Sequence, residues 1–212
     1  MGEPDTGLIT GCAVEPGNGT DTDAAVGLLE HEPAGIEVLG DSAYGTGEFR
    51  NHLNETGRQA TIKPPPLRTA VEGGFSLDDF TINTNTVTCP EGHTVTITSS
   101  RTARFGAHCH TCPVRHLCTR AKGGRTIKVH PHHTLLAAAR TQADTDEFTH
   151  TYSQHRPMIE RTIAWCCRQY RRCRYRGIER NQLGWSHRCA AINLTRLINL
   201  GINHTGTHWA TT

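Results

Sequence analysis

Three groups of residues carry side chains able to do chemistry: two acids at the ends of ordered elements, a cysteine cluster and an arginine block. The first acid is Asp41, within Ile36-Glu37-Val38-Leu39-Gly40-Asp41-Ser42-Ala43-Tyr44-Gly45. A short apolar run delivers it into a small-residue turn, and a helix-compatible segment, Glu48 to Asn54, follows. The carboxyl ends of strands in open α/β sheets face a crevice, so an acid there reaches a site without being buried. The same position suits a helix cap or a turn closure, and the residues alone leave both readings open.

The second acid is Glu160. It lies beside an apolar stripe of Ile159, Ile163, Cys166 or Cys167, and Tyr170, in the first turn of a helix that Pro157 opens. Arg156, four residues earlier, could reach it, although the residue before a proline is pushed away from helical geometry. The alternative role for Glu160 is a first-turn charge complementing the helix dipole.

The cysteines that cluster are Cys89, in Cys89-Pro90-Glu91-Gly92-His93, then Cys109 and Cys112 in Cys109-His110-Thr111-Cys112, then Cys118. Two cysteines separated by two residues present both sulfurs to one tetrahedral ion, and Cys89 with Cys118 can complete a structural zinc site, with His93 in reserve. A redox pair and metal-free packing cysteines are the competing readings, although no strand-CxxC-helix context supports the first. Cys166, Cys167, Cys173 and Cys189 lack ligand spacing and read as helix packing residues.

Charge is distributed unevenly beneath a formal net of +2. Residues 1–55 contain eleven acids against the single base Arg50, whereas residues 161–180 contain seven arginines against Glu179. Such a block beside Tyr170 and Tyr175 suits phosphate contacts and stacking, so nucleic acid is the expected partner; a solvated helix face is the alternative. No apolar run approaches bilayer-spanning length, and Met1-Gly2-Glu3-Pro4-Asp5 lacks the parts of a secretion signal. The expectation is a soluble, cytoplasmic protein with no membrane partner, and nine cysteines in that setting argue against a disulfide framework.

The elements that must position these groups read as strand Leu8–Val14, a helix capped near Asp21 or Thr22, the Asp41 strand, a short helix, and strand Gln59–Lys63. That order predicts an α/β sheet with crossover helices. The pattern stops at Pro64-Pro65-Pro66. From 66 to 144 the chain is rich in Thr, Gly, His and Pro, with β-like runs at Phe80–Val87, Thr94–Thr98 and Thr126–Val129, and reads as an insertion. Helical segments return at Asp146–Gln154, after Pro157, and at Gln182–Leu200, the last with Leu183, Ala190, Ala191, Leu194, Leu197 and Ile198 on one side, its apolar face, and Gly201 as the stop. The boundaries are 1–65, a partial core around Asp41; 66–144, the cysteine-bearing insertion; 145–202, the C-terminal helices; and 203–212, a loose tail.

Taken together, Gly40-Asp41-Ser42-Ala43-Tyr44-Gly45, Lys63-Pro64-Pro65-Pro66, Cys89 to His93, Cys109 to Thr119, Arg156-Pro157-Met158-Ile159-Glu160-Arg161, Arg174-Tyr175-Arg176-Gly177 and Ala190 to Leu194 resemble the DDE transposases of bacterial insertion sequences. The particular group has an RNase H-like catalytic domain with a cysteine-bearing insertion. The resemblance extends from about residue 5 to 202. It implies an RNase H-like mixed sheet with flanking helices, Asp41 and Glu160 as the second and third catalytic acids holding Mg²⁺ or Mn²⁺, and phosphoryl transfer on element-end and target DNA. By the same resemblance Arg156, Arg161, Arg168, Arg171, Arg172, Arg174 and Arg176 contact DNA, with Tyr152 in support.

Departures from the family pattern carry their own expectation. The family's first aspartate lies on a strand upstream of Leu8–Val14; Tyr152 stands one residue early; and Cys167, beside Arg168, occupies a lysine position. The chain therefore reads as an N-terminally truncated transposase, inactive alone, that works with a second copy or a complementing N-terminal polypeptide. The alternative is a zinc-stabilised, arginine-rich DNA-binding module without catalysis.

Overall fold

The computed structural model describes residues 1–168, 172–204 and 206–210. It is a mixed α/β structure of helices and small sheets. The first unit holds the Asp41 strand and the helices around it where the sequence predicts them, but in a two-stranded sheet and with Thr20, not Asp21 or Thr22, as the first helix cap. Helix α1 (Asp21–Leu29) is capped by Thr20, whose hydroxyl accepts from Asp23 N. Strand β1 (Glu37–Gly40) runs into a 3-10 turn, Ser42–Tyr44, then helix α2 (Gly47–Glu55), capped by Thr46, and strand β2 (Gln59–Ile62). β1 and β2 pair in parallel, Glu37 opposite Gln59 and Gly40 opposite Ile62, so α2 is the crossover between them. Leu29, Phe49, Leu53 and Ile62 form their buried core.

Gly45 ties the Asp41 turn to the polyproline stretch. A Cβ built there would lie 2.7 Å from the Lys63 carbonyl oxygen and 2.9 Å from Pro65 Cδ. Backbone therefore approaches backbone where any side chain would intrude, which accounts physically for the glycine following Tyr44.

The second unit is antiparallel. Strands β3 (Thr81–Ile82), β4 (Thr86–Thr88) and β5 (Thr94–Thr96) form one sheet, and β6 (Thr102–Arg104) pairs with β7 (Thr126–Lys128) in another. An isolated bridge between Ile97 and Ala103 joins them. The one-turn helix α3 (Arg115–Cys118) lies between β6 and β7 in the chain. Phe80, Val87, Ala103, Phe105, Ile127 and Val129 fill its core together with Cys109 and Cys118. Helix α4 (His133–Ala143) leads out and packs on α2. Arg140 on α4 grips Asp78 through two 2.6 Å hydrogen bonds, a bidentate pair that fastens the insertion to its exit helix.

Four expectations are corrected. Leu8–Val14 forms no strand: it is extended but makes no ladder, and side chains of α6 (Ile178–Asn199) satisfy its backbone instead. Asn193 accepts from Ile9 N and donates to Ile9 O, both at 2.8 Å. Gln182 accepts from Val14 N at 2.7 Å and donates to Cys12 O at 3.0 Å.

The inward face of α6 also differs. Leu183, Leu194 and Ile198 are 59, 62 and 72% exposed, whereas Cys189, Ile192 and Arg196 are buried. The stripe Gln182, Ser186, Cys189, Asn193, Arg196 recurs at helical spacing, and it is polar because the extended segment it faces needs hydrogen-bond partners rather than apolar cover.

The segments before and after Pro157 are one helix, α5 (Asp146–Cys167), with the proline inside it. In the tail, where a loose chain was expected, β8 (Asn203–His204) and β9 (Trp209–Ala210) pair antiparallel, with His204 edge-on to Trp209. Among the described residues no helix is long and apolar enough to cross a membrane.

The Gly45 contact gives a direct test. Gly45→Ala inserts a methyl group against rigid backbone and should cost about 1–3 kcal/mol of stability. Urea unfolding of the two proteins checks this; an unchanged midpoint would remove the role assigned to the contact.

Candidate functional site

Asp41 leaves the carboxyl end of β1 with its side chain doing two things. Oδ1 accepts from Ala43 N at 2.9 Å, capping the 3-10 turn, while Oδ2 lies 4.0 Å from Arg156 Nη2. The cap and the site are thus compatible. Arg156 in turn grips Glu160: Nε and Nη2 both lie 2.7 Å from Glu160 Oε1, and Nη1 donates to the Tyr152 hydroxyl at 2.6 Å. One guanidinium bridges the two acids that sequence analysis singled out.

Helix α5 supplies three of these four groups, Tyr152, Arg156 and Glu160, at successive four-residue intervals on one face. Its N-terminus is fixed by Thr145, which accepts from Phe148 N at 3.2 Å, and buried Phe148 stacks on Tyr152 with centroids 5.5 Å apart. The helix packs on α4, which packs on α2 beside β1. Arg156 thus remains helical, contrary to the expectation for a pre-proline residue, because the Tyr152–Arg156–Glu160 contacts span the turn that Pro157 weakens. Glu160 sits well inside the helix, so the reading of it as a first-turn dipole charge is overturned. The Arg156 guanidinium is held above its ordinary range chiefly by the hydrogen bond to Glu160, burial opposing this.

The arginine block is placed differently from its expected helix. Arg161 lies on α5 and Arg168 caps its C-terminus, whereas Arg172, Arg174 and Arg176 occupy the exposed connector to α6. Arg171 and Tyr170 lie outside the described residues. Arg174 lies over the Tyr175 ring at 6.0 Å, and Asn181 holds the connector by donating to Tyr175 O at 2.6 Å and Gly177 O at 2.7 Å. A cation and an aromatic ring are thereby presented together at the surface.

The four clustered cysteines come together with His93 and His108 around one small cavity of about 20 Å³. Cys89 sits in a tight turn, its N–H donating to His93 O and its carbonyl accepting from Gly92 N; Cys109 ends a 3-10 turn, and Cys118 ends α3. The Arg125 N–H donates to Cys109 Sγ at 3.4 Å. Burial pushes the Cys118 thiol up, with Cys109, Cys112 and Cys89 adding to the effect and Arg125 opposing it. Among the described residues, however, no three His, Cys, Asp or Glu side chains converge closely enough to hold a metal ion, either here or at Asp41 and Glu160.

Residues that sequence reading missed include Arg196, Gln182 and Asn193, all on the buried stripe of α6. Gln182 and Asn193 carried a signal, polar residues recurring at helical spacing; Arg196, one arginine among exposed ones, carried none.

A mixed α/β domain that brings two distant acids to one arginine, and that also carries an exposed basic connector, is a framework suited to phosphate chemistry. A family model, the transposase DDE domain, matches residues 88–198, and the chain belongs to that family. The matched stretch includes Glu160, the cysteines and the arginine-rich connector. No curated protein and no solved structure matches the chain with significance.

The route of α5 through Pro157 is testable. Ala at 157 restores an N–H for the preceding turn and removes the ring clash, so Pro157→Ala should raise stability by about 1–3 kcal/mol in urea unfolding. A loss of stability would mean that the proline shapes α5 in a way the Tyr152–Arg156–Glu160 contacts do not explain.

Proposed function

We propose that this chain carries the catalytic region of a transposase of insertion-sequence type, performing metal-dependent phosphoryl transfer on DNA with Asp41 and Glu160 as two of its acids. The observation that carries this reading is the convergence of Asp41 and Glu160 on Arg156. Two acids far apart in sequence reach one guanidinium, Asp41 from the end of β1 and Glu160 from the same face of α5 as Arg156. Carboxylates are the hard oxygen donors that Mg²⁺ or Mn²⁺ requires, and such ions when bound supply charge stabilisation at both the attacking and leaving oxygens of an in-line displacement. The parallel β1–β2 pair with its crossover helix is consistent with an RNase H-like core interrupted at 66–144 and resumed at 145–202.

The protein's own groups have assignable tasks in this reading. Arg156 neutralises the two acids and restrains their positions before DNA arrives. Arg161, Arg168, Arg172, Arg174 and Arg176 hold the phosphate backbone, with Arg171 in the same role by sequence. Two acids rather than three meet among the described residues, so joining by this polypeptide alone should be weak, and a second copy or an upstream polypeptide would supply what is lacking.

The decisive measurement is Mn²⁺ binding followed by electron paramagnetic resonance, beside DNA binding at several salt concentrations. Asp41→Asn and Glu160→Gln should each weaken Mn²⁺ binding at least tenfold while leaving DNA affinity within about twofold, and a triple Arg172, Arg174, Arg176→Ala variant should do the reverse. DNA binding with Mn²⁺ binding indifferent to both acids would instead support a binding module without catalysis.

Within the insertion we infer a structural zinc held by Cys89, Cys109, Cys112 and Cys118. Four free cysteines line one cavity and one of them accepts a backbone N–H, so the donor chemistry supports this set, although no three of them converge closely enough to hold an ion in the fold described. Elemental analysis of the purified chain should find about one zinc, lost in Cys109→Ser together with the fold of the insertion; a zinc-free, fully folded protein would refute it.

A further inference from the structure

Arg196 is the most deeply buried charged group on α6, at 6% exposure, and its environment is incomplete. Nη2 donates to the Thr162 hydroxyl at 2.8 Å, but buried Nη1 has no acceptor. The guanidinium lies over the Trp165 ring at 5.3 Å, and Gly7, at φ 73°, lets the chain pass so close that a Cβ would sit 3.3 Å from Nη1. Among the described residues no carboxylate lies within ion-pair distance of it. Glu3, on the N-terminal segment that passes it, accepts from the N–H groups of Asp5 and Thr6 instead.

Burial lowers the pKa of Arg196, with Cys166 opposing this and Arg161 adding to it. Both arginines line one open cleft of about 200 Å³, walled by Thr6, Met158, Trp165 and Asn199. Two guanidiniums facing a shared space without a counter-charge are costly to keep, unless an anion enters.

We propose that this cleft, between the N-terminal segment and helices α5 and α6, is a binding site for a phosphate group held by Arg196 and Arg161. Guanidinium forks match phosphate oxygens in geometry as well as charge, and the cleft has room for a tetrahedral anion that the Asn199 amide can also reach. The phosphate could belong to a DNA backbone or to a small phosphorylated ligand. Neither source depends on the assignment of Asp41 and Glu160, which lie outside the cleft.

The test uses the full chain and inorganic phosphate as the probe. Thermal unfolding in phosphate should occur about 3 °C or more above that in acetate or chloride at equal pH and ionic strength. The increment should vanish in Arg196→Met and fall at least by half in Arg161→Ala, which alters only an exposed side chain and so retains the fold. Broadening of the ³¹P resonance of phosphate by the protein gives a second readout. Its loss on adding a short DNA duplex would identify backbone phosphate as the occupant, and its persistence would identify a small ligand. A phosphate response no larger than that of acetate, or one unchanged in Arg161→Ala, would overturn the proposal. Metal binding at Asp41 and Glu160 is read separately and can succeed or fail on its own.

Discussion

Two like charges brought to one place repel, and the presence of a cation between them decides whether the arrangement survives. Arg156 fills that position, within hydrogen-bond reach of Glu160 and ion-pair reach of Asp41. Because the three groups are partly exposed, their direct contribution to stability is small, at most about 1 kcal/mol. Their importance is geometric. The contact is made only if β1 ends where it does, if α5 runs unbroken past Pro157, and if α4 holds α5 beside α2.

Several small cores, rather than one large one, meet those conditions. Leu29, Phe49, Leu53 and Ile62 fix the β1–α2–β2 unit; Phe80, Val87, Phe105 and their neighbours fix the insertion; Cys166, Cys189 and Ile192 join α5 to α6. Each is small for the length of chain it orders, and specific polar contacts between units complete the assembly. The Arg140–Asp78 fork is one. Within the first unit Arg50, buried on α2, does the same for β2, donating to Ile62 O at 2.6 Å from a position where burial lowers its pKa.

How much of this was legible in the sequence depended on whether a local rule had a competitor. β1, α1, α2 and β2 were readable because short apolar runs and turn chemistry agreed, although the caps are Thr20 and Thr46 rather than Asp21 or Thr22. In the insertion the runs at Thr94–Thr98 and Thr126–Val129 were readable but overran their strands, Phe80–Val87 proved to be β3 and β4 with a turn between them, and β6 was missed, since threonine-rich runs do not mark where pairing stops. Around Pro157 the local rule against proline in a helix lost to contacts four residues apart on either side of it. On α6 hydropathy pointed to the wrong face, because the buried side serves an extended backbone segment and must be polar. For the site, the two acids and the cysteines were visible by type and spacing, whereas Arg196 was hidden, since nothing in a sequence distinguishes a buried arginine from its exposed neighbours.

The polar stripe of α6 also acts as a ruler. Asn193 and Gln182, the two residues that grip the extended segment, are separated by a helical rise of about 16 Å at 1.5 Å per residue. The points they grip, Ile9 and Val14, are separated by nearly the same length of extended chain at about 3.3 Å per residue. Both clamps contact backbone, so the identities of the gripped side chains matter little to the match. Length matters a great deal: one residue added or removed between the clamps would displace the far end by roughly 3 Å, more than a hydrogen bond can stretch. The N-terminal strip is therefore a segment whose composition can drift while its residue count cannot.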